Sequence, residues 1–425
     1  MGIDGLRLDS IDRRTRTEDD GAAALTTAAF VEGELPGLLA RHGPLAADGM
    51  RRLGLRPLGF AVADEPWTLD IAPGDRGDGL VVLPGIADGA MVLDLDAAAF
   101  SDLVQDQRSL NSFSVARDVP MHNADMTQVL GWDVAWRALL DGWPVHRSGD
   151  ITFEAPDGAP LDLHHGFGPD DDPAAIAHFL REAGFVCLRG WLEASDMATV
   201  AGDIDRALPS YRKDDGRSWW ATLAGGDERC VRLLHFVEHS ETTARILGGP
   251  AWDRLRTTLA GDDELVQPPV QGNCIEALVK PLGVTQGISD IPWHRDCSLG
   301  RHSYRCCGVT VGVSVTDGGA DRGQLRALAG SHRANVPAVG VAPGLDLPIV
   351  ALPTRAGDLT VHLSCTLHEA TPPVAGERKV MYTGFGLPER AVGIGTSEAS
   401  RRAWARRNEA HKLQSQPPSP LPRPT

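Results

Sequence analysis

The sequence predicts an α+β protein, with an N-terminal α/β domain followed by a domain that has a β-rich core and flanking helices. Three observations support this fold class. The chain has 425 residues, the length of two or three domains. Its 47 glycines and 30 prolines indicate many turns and short strands. Short strand-like segments with turns between them fill residues 268–390, which is typical of a closed or two-sheet β structure.

The predicted boundaries follow changes in composition along the chain. They define a flexible N-terminus, the N-terminal domain, a linker rich in Pro, Gly and Asp, the second domain, a basic helix and a disordered proline-rich tail. In that order the segments are 1–20, 21–153, 154–172, 173–395, 396–412 and 413–425.

Within the N-terminal domain the pattern predicts helices before and after a pair of strands. Residues 22–60 have a helical pattern, and residues 67–72 and 91–96 are predicted to be strands. A helix is expected to begin near Asp96, and another to cover residues 126–143. Helices and strands in this order indicate a small α/β domain.

The second domain is predicted to begin with a helix that leads into a strand. Asp172 suits the N-cap of that helix, Pro173 its first turn and Gly184 its C-terminal end. A second helix is expected between Ser195 and Pro209. The strands expected after it are NCIEALVK, CCGVTVGVSVTD, GQLRALAG, DLTVHLS and KVMYTGFGL.

Composition excludes several classes of protein. The formal net charge of -16 argues against a nucleic-acid-binding protein, which usually has a basic domain. No apolar run is long enough for a membrane span, and the N-terminus has no apolar signal-peptide core. The seven cysteines include no CxxC pair, so neither a disulfide framework nor a thiolate zinc site is indicated. We therefore expect a cytoplasmic protein.

The segment IPWHRDCSLG places His294 and Asp296 two residues apart. On an extended chain such residues point the same way, so both can reach one metal ion, although a strand with one polar face would show the same pattern. His362 and His368 lie downstream as candidates for a third ligand. Two histidines and one carboxylate suit Fe(II), whereas a structural zinc would prefer four protein ligands.

Ten residues after His368 comes Arg378, in the segment GERKVMYTGF. A guanidinium at this place can bind the carboxylate of a co-substrate at the metal in a bidentate manner. The alternative for Arg378 is a solvated charge at the end of a strand, and Lys379 is the competing cation.

These segments, in this order, resemble the phytanoyl-CoA dioxygenase family of Fe(II)/2-oxoglutarate oxygenases. The resemblance covers about residues 173–390. The matching segments are DDPAAIAHFLREAGFVCLRGWL, WHRD, DRGQLRALAGSHR, AGDLTVHLSCTLHEA and GERKVMYTGF. It implies a double-stranded β-helix core, that is, a jelly-roll or cupin-like fold with flanking helices.

The resemblance also implies roles for individual residues. His294, Asp296 and His368 would bind Fe(II), and Arg378 would bind the distal carboxylate of 2-oxoglutarate, with O2 as the other co-substrate. His362 is the competing histidine, at a position where the family often has a residue that packs behind the metal strand. His332, in the Gly-Ser-His turn, is expected to be structural.

Two departures from the family pattern affect the expected site. Arg295 stands inside the HxD segment where glutamine is frequent. Ala370 replaces a hydroxyl residue that often helps to hold 2-oxoglutarate, so another polar group must assist, and Asn273 is the candidate. Asp296 itself favours hydroxylation, because halogenating relatives have a small residue there that lets chloride bind the iron.

Candidates for the substrate pocket lie around the expected metal site. They are Trp219, Trp220, His235, Trp293 and Arg295. For the aromatic residues a place in the hydrophobic core is an equally good interpretation.

The N-terminal domain loosely resembles a sterol-carrier-type domain, with strands, a helix and an apolar cavity. This resemblance implies that it could bind or present a lipophilic ligand. The alternative is a module for packing or dimerisation, and the sequence does not indicate an oligomeric state.

The function expected from the sequence is that of an Fe(II)- and 2-oxoglutarate-dependent dioxygenase. It would hydroxylate an unactivated C–H bond of a small lipophilic or natural-product-like substrate and release succinate and CO2. Two alternatives remain open. One is a non-catalytic barrel that binds a small molecule or lipid and retains the metal motif, and the other is a zinc-dependent hydrolase.

Overall fold

A computed structural model describes most of the chain. The described residues are 24–62, 65–74, 78–105, 108–261, 264–287, 291–296, 308–342 and 344–386. The flexible N-terminus, basic helix and proline-rich tail predicted from the sequence lie outside these residues. No helix among the described residues is long and apolar enough to cross a membrane.

The first part of the chain, which we call the N-terminal unit (described residues 24–142), combines one sheet with helices. Its helices are α1 (Leu35–Leu53), α2 (Ala97–Val104), α3 (Leu110–Ala116) and α4 (Met126–Asp141). Its strands are β1 (Leu58–Val62), β2 (Trp67–Ile71), β3 (Leu80–Pro84), β4 (Met91–Leu95) and β5 (Met121–His122). They form a sheet in the order β3-β2-β1-β4-β5, in which β1 and β4 are parallel.

Most of the elements predicted for this unit are confirmed. The predicted strands correspond to β2 and β4, and the Asp96 side chain caps α2 by accepting a hydrogen bond from the Ala99 backbone. The helical prediction for 22–60 is wrong at its end, because α1 stops at Gly54, where φ is 62°. A left-handed backbone suits glycine and ends the helix, so the chain continues as β1. Strand β3 was not predicted.

Aromatic side chains fill the interior of the N-terminal unit. Phe60 stacks on Trp67 with ring centroids 4.0 Å apart, and Phe30 meets Phe100 edge to face at 5.9 Å. Trp132 is fully buried and its indole N–H donates to the Arg56 carbonyl. This burial gives the unit a hydrophobic core of its own.

The second part of the chain carries the larger β structure. Its helices are α5 (Pro173–Ala183), α6 (Ala194–Ala207), α7 (Glu241–Leu247) and α8 (Pro250–Ala260). Its first strands are β6 (Gly166–Phe167), β7 (Phe185–Leu188), β8 (Ser218–Leu223), β9 (Glu228–Leu233), β10 (Glu276–Lys280), β11 (Val284–Gln286) and β12 (Ile291–His294). The later strands are β13 (Gly308–Ser314), β14 (Leu325–Leu328), β15 (Ile349–Leu352), β16 (Leu359–Leu363), β17 (His368–Ala370) and β18 (Arg378–Gly386).

These strands form two sheets. The larger has nine strands in the order β11-β8-β9-β10-β18-β13-β16-β7-β6, and the smaller has four in the order β12-β17-β14-β15. The five strands predicted after residue 268 are confirmed as β10, β13, β14, β16 and β18. Strands β8 and β9 were not predicted. Strand β6 lies inside the predicted linker and pairs in parallel with β7.

The two faces of the large sheet differ in chemistry. On β13, Val309, Val311 and Val313 belong to the main hydrophobic core, which also includes side chains from the helices. The alternate residues Thr310 and Gly312 face the other side, because side chains alternate along a strand. Across the register this second face carries polar groups on several strands, and we call it the polar face.

The helix that opens this domain ends as its sequence predicts. The Asp172 side chain accepts a hydrogen bond from the Ala174 backbone, and Gly184 follows the helix with φ 82°. A Cβ at Gly184 would lie 2.4 Å from Nδ1 of His332. Helix α6 differs from expectation, because it begins at Ala194 with Glu193 as its N-cap instead of at Ser195.

His332 makes the stability of this fold depend on pH. Its Nε2 lies 2.7 Å from the Arg181 carbonyl, and burial lowers its pKa to about 3. In the unfolded chain His332 takes up a proton below about pH 6.5, but in the folded chain only near pH 3. The free energy of unfolding therefore falls as the pH drops from about 6.5, by up to ~1.4 kcal/mol per pH unit from this group.

We expect His332→Gln, which keeps a donor toward the Arg181 carbonyl but cannot titrate, to flatten this dependence. Between pH 7 and pH 5 the variant should lose about 2 kcal/mol less stability than the wild type, as measured by urea unfolding. The exposed His164 provides the control, because His164→Gln should leave the wild-type pH dependence in place. Equal pH dependence in the His332 variant and the wild type would contradict the prediction.

Candidate metal centre

Two histidines face each other across the small sheet. Strands β12 and β17 pair antiparallel, and His294 lies directly opposite His368 in their register. Directly opposed residues point to the same face of a sheet, and the two imidazole centroids are 4.2 Å apart. Both side chains are buried. Register alone therefore brings together two residues that are far apart in sequence.

Asp296 completes a group of three at this point. Its Oδ1 lies 3.5 Å from Nε2 of His294 and 3.5 Å from Nε2 of His368. One ligand atom from each residue lies within 4.8 Å of the others, a spacing that one metal ion can bridge. The structure thus brings together the three residues that the sequence suggested.

Backbone carbonyls orient both imidazoles. Nδ1 of His294 lies 2.7 Å from the Pro292 carbonyl, and Nδ1 of His368 lies 3.0 Å from the Thr366 carbonyl. A ring that donates from Nδ1 keeps the lone pair of Nε2 for a metal. Both Nε2 atoms face Asp296 in this tautomer, so the pair is arranged for metal binding.

The second carboxylate oxygen of Asp296 is also held in place. The Thr310 hydroxyl donates to Oδ2 at 2.8 Å, and Nε2 of His362 lies 3.2 Å from the same oxygen. His362 lies outside the group of three and packs against the His368 ring, with centroids 4.0 Å apart. The structure therefore places His368 among the ligand atoms and His362 behind them. Thr310 was missed, because only its register opposite His362 reveals its place.

The electrostatics of the centre favour the protonation states that bind a metal. Burial acts to raise the pKa of Asp296, but His368 and the hydrogen bonds from His294 and His362 lower it well below its usual value. Burial lowers the pKa of His368 well below its usual value. A carboxylate and a neutral imidazole are the forms that coordinate metal ions. Two imidazoles and one carboxylate also make the donor set that fits Fe(II) with open coordination positions.

Arg378 lies on β18 with its side chain buried. Its Nη1 donates to the Gly323 carbonyl at 2.7 Å, while its buried Nε has no hydrogen-bond partner among the described residues. A Cβ at Gly318 would lie 2.9 Å from that Nε, so the glycine makes room for the guanidinium. Lys379 points the other way, where its Nζ forms an ion pair with Asp205 at 2.6 Å.

Lys280 is a second buried cation beside Arg378. The two residues are directly opposite each other in the pairing of β10 with β18. Both side chains are buried, with exposed fractions of 2% for Lys280 and 1% for Arg378. The sequence analysis missed Lys280, although a signal was present. In EALVK the alternate residues Ala277 and Val279 are apolar, which puts Lys280 on the polar face.

Tyr382 lies between the cations and the metal centre. It is on the same face of β18 as Arg378, and its ring leans over Gly312, where a Cβ would come within 2.9 Å of it. Burial raises the pKa of Tyr382, with the charge of Arg378 opposing the shift and that of Asp296 adding to it. The phenol is therefore within electrostatic range of both Arg378 and Asp296. The sequence analysis also missed this residue.

Beyond Tyr382 the polar face carries a neutralised charge pair. Arg232 and Glu276 form a bidentate ion pair in which Nε lies 2.7 Å from Oε2. The guanidinium of Arg232 also lies 4.0 Å from the ring centroid of Trp219, which is opposite it in register. Trp219 is thus on the polar face. Trp220 packs against the main core instead.

Three other candidates are engaged elsewhere. His235 turns its ring toward Glu238, and its backbone N–H donates to Oδ1 of Asn273. Asn273 precedes the end of β10 that is far from Lys280, so the structure does not bring it to Arg378. The predicted assistance from Asn273 is therefore not supported. Ala370, opposite Ile291, supplies no polar group there.

The two pocket candidates beside the ligands have structural partners. The Arg295 guanidinium donates to the carbonyls of four residues, namely Ser331, Ala334, Val336 and Cys365. These contacts turn it away from the metal centre, which corrects its interpretation as a pocket residue. Trp293 packs in a small apolar cluster and meets Gly340, where a Cβ would lie 2.3 Å from its ring.

The fold and the site together define a class of protein. Two histidines on paired β strands and a carboxylate two residues beyond one of them form a donor set that suits a non-haem iron site with open coordination positions. The family model described as phytanoyl-CoA dioxygenase (PhyH) matches residues 180–379. This part of the chain is similar to that family, and together with the His-Asp-His group the match supports an oxygenase that uses Fe(II), 2-oxoglutarate and O2.

Three solved structures illustrate the likeness of this chain to known folds. The epimerase SnoN from nogalamycin biosynthesis is 23% identical with a TM-score of 0.40, over 51% of this chain and 82% of its own. EctD from S. alaskensis is 18% identical with a TM-score of 0.42, over 56% and 87%. AviO1 from Streptomyces viridochromogenes is 22% identical with a TM-score of 0.36, over 51% and 96%. No curated protein matches the chain significantly.

The two candidate histidines can be separated by metal binding. We expect His368→Ala to abolish tight Co(II) or Fe(II) binding, because it removes a ligand atom. His362→Ala should lower the affinity by roughly 10- to 100-fold at most, the effect typical of a group that orients a ligand. Anaerobic titration followed by visible absorption or calorimetry measures both. The assignment is wrong if His362→Ala loses the metal and His368→Ala retains it.

Proposed function

We propose that the protein hydroxylates an unactivated C–H bond of a small molecule, with conversion of 2-oxoglutarate and O2 to succinate and CO2. In this proposal His294, Asp296 and His368 bind the iron. Arg378 binds the distal carboxylate of 2-oxoglutarate, and Lys280 takes the assisting role first given to Asn273. The two sheets would form the double-stranded β-helix that the family resemblance implies.

The observation that carries the proposal is the buried guanidinium of Arg378 on the polar face. Placing a cation in a low-dielectric interior is costly unless an anion compensates it. A dicarboxylate that reaches from the metal to Arg378 would supply the anion. Tyr382, on the same face of β18 as Arg378, would lie along that path. The unpartnered Nε of Arg378 adds a donor for a bidentate contact.

The iron, when bound, supplies the activation of O2 and the oxidative decarboxylation of 2-oxoglutarate. The chain supplies the positioning. Thr310 and His362 hold one oxygen of Asp296, which leaves the other to face the two histidine nitrogens. A carboxylate at this position occupies the place that chloride would need, so Asp296 favours hydroxylation over halogenation. Desaturation or cyclisation would use the same residues.

The substrate side of the proposal rests on Trp219, Arg232, Glu276 and Tyr382. Their side chains share the polar face with Thr310, which contacts Asp296. An ion pair that neutralises itself, together with a phenol and an indole, offers hydrogen bonds and an apolar surface without net charge. This favours a natural-product-like substrate with polar groups over a purely lipophilic one.

The N-terminal unit permits two proposals. A sterol-carrier-like role would have it bind a lipophilic ligand, in keeping with its sheet and helices. A role in packing is favoured by its filled aromatic interior, in which Phe30, Phe60, Phe100 and Trp132 are fully buried. Cytoplasmic location also stays a prediction.

The function is tested most directly without O2. Fe(II) added to the protein with 2-oxoglutarate should produce a weak visible charge-transfer band, because the co-substrate chelates the iron. Admission of O2 should then bleach the band and yield succinate. A zinc hydrolase would give neither result, and a silent barrel that retains the metal motif would give no succinate. Absence of succinate formation by the wild-type protein would overturn the proposal.

Arg378 and Lys379 provide a matched pair for the co-substrate site. We expect Arg378→Ala to raise the 2-oxoglutarate concentration needed for half-maximal succinate formation roughly 10- to 100-fold, since a buried charge-assisted pair contributes about 1.5–3 kcal/mol. Metal affinity without 2-oxoglutarate should change little. Lys379→Ala should be nearly silent, because its ion pair with Asp205 lies on the other side of the strand. A large effect of Lys379→Ala alone would contradict the assignment.

A further inference from the structure

Arg295 stands between two metal ligands in sequence but points away from them. Its Nε donates to the Cys365 carbonyl at 3.0 Å, and its Nη1 donates to the Val336 carbonyl at 3.1 Å. Its Nη2 donates to the carbonyls of Ser331 and Ala334 at 3.2 and 3.3 Å. The planar guanidinium of Arg295 thus connects the segment 294–296 to two others, the turn at Cys365 and residues 331–336. A lysine, with a single ammonium on a flexible stem, cannot reproduce this geometry.

The first of these segments leads to the third ligand. Cys365 lies in the turn between β16 and β17, three residues before His368. Ser331 also holds this turn, because its hydroxyl accepts a hydrogen bond from the Leu367 backbone N–H at 2.8 Å. The Leu367 carbonyl in turn accepts from the Leu328 backbone at 2.9 Å. Arg295 and Ser331 therefore tie the strand of two ligands to the turn that positions the third.

Apolar packing reinforces the same connection. The residues directly before the two histidine ligands, Trp293 and Leu367, pack in one small cluster. The other members of this cluster include Leu328, Ala334, Val336 and Leu347. The second segment held by Arg295 therefore also supports both histidine strands from behind.

That second segment is the place where the N-terminal unit docks, and we call it the docking loop (described residues of 331–347). Asn335 is buried, and its side-chain amide donates to the carbonyls of Val134 and Trp143 at 2.9 Å each. Its own carbonyl accepts from the backbone N–H of His146 at 3.0 Å. Asn335 lies between Ala334 and Val336, whose carbonyls bind Arg295.

Asp346 forms the second contact of the docking loop. Its Oδ1 accepts from Nε2 of His146 at 2.8 Å, and its Oδ2 accepts from the Ser148 hydroxyl and the Gly149 backbone. Helix α1 holds the other side of this segment, because Arg52 donates to the carbonyls of Val145 and His146. The N-terminal unit is thus connected to the loop directly through the Val134 carbonyl and indirectly through residues 143–149, which Arg52 of α1 also holds.

We propose that Arg295 is a positioning residue through which the docking loop, and with it the N-terminal unit, fixes the geometry of the iron site. This inference rests on the proposed function. The physical reason is that metal affinity depends on ligands held close to their bound geometry by the groups behind them. The N-terminal unit therefore contributes to iron binding without contacting the metal.

The first test compares Arg295, which contacts the docking loop, with Arg333, which lies in it, in the full-length protein. Arg295→Met and Arg295→Lys should each weaken Co(II) binding roughly 10- to 100-fold. The Lys variant tests whether fork geometry matters, because it keeps the charge. Arg333→Met is the matched control. Arg333 is a half-buried arginine inside the docking loop that donates to the Thr152 carbonyl and pairs with Glu182, and none of these contacts involves a ligand segment. The Arg333→Met variant should have a lower thermal stability than the wild type but the same Co(II) affinity.

Each outcome of this test decides the inference. Wild-type Co(II) affinity in folded Arg295→Lys, or an equal loss of affinity in Arg333→Met, would overturn it. If Arg295→Met does not fold, the Lys variant alone carries the comparison, with circular dichroism to confirm folding. Failure of the wild-type protein to bind Fe(II) with 2-oxoglutarate would instead overturn the proposed function.

The second test uses the reciprocity of coupled equilibria. If docking raises metal affinity, metal binding must strengthen docking by the same factor. Hydrogen exchange at the backbone amides of His146 and Gly149, which donate to Asn335 and Asp346, should slow on addition of Co(II) to the wild-type protein. The slowing should disappear in Arg295→Lys. Equal exchange rates with and without Co(II) in the wild-type protein would contradict the coupling.

Discussion

The antiparallel pairing of His294 with His368 is the constraint on which the rest of the site depends. Pairing in this register puts two imidazoles side by side, and the two-residue step along the chain then brings Asp296 to both. A slip of one residue would turn the paired side chains to the other face. The hydrogen bonds of Arg295 and the Ser331 hydroxyl act on the two segments that set this register. At this point of the fold, the strand pairing and the packing behind it therefore determine the geometry of the ligand atoms.

The two faces of the large sheet have different roles. Its apolar side packs with the helices into the main core, while its polar side carries a row that runs from His362 and Thr310 through Tyr382 to Glu276 and Arg232. A buried polar group without a hydrogen-bond partner destabilises the fold, so each group in this row requires a defined arrangement of its neighbours. This requirement favours one arrangement of the row over others. Under the proposed function the row would separate the place for a charged co-substrate, at Arg378 and Lys280, from a neutral region beyond Tyr382.

The sequence was sufficient to identify the three residues that the structure brings together and the five strands expected after residue 268, because these depend on motif spacing and on local alternation. It failed where tertiary register decides. Thr310 and Tyr382 have no local signal for their roles, and Asn273 was named while Lys280 was overlooked, because polarity was considered without the face of the strand. Arg295 was assigned to the pocket because it neighbours the ligands, whereas alternation along the chain sends its side chain the other way. Strands β8 and β9 were missed in a segment considered only for its aromatic residues.

The glycine at 312 has a consequence for the adaptability of this enzyme. The Tyr382 ring occupies the space that a side chain at 312 would take, and Thr360 borders the same space at 2.7 Å from a Cβ there. The side chains at positions 312 and 382 therefore compete for the same space. A larger residue at 312 requires a smaller one at 382, so substitutions at the two positions depend on each other. Engineering that seeks to admit bulkier compounds should randomise the two positions jointly, because single-site libraries would discard most productive combinations.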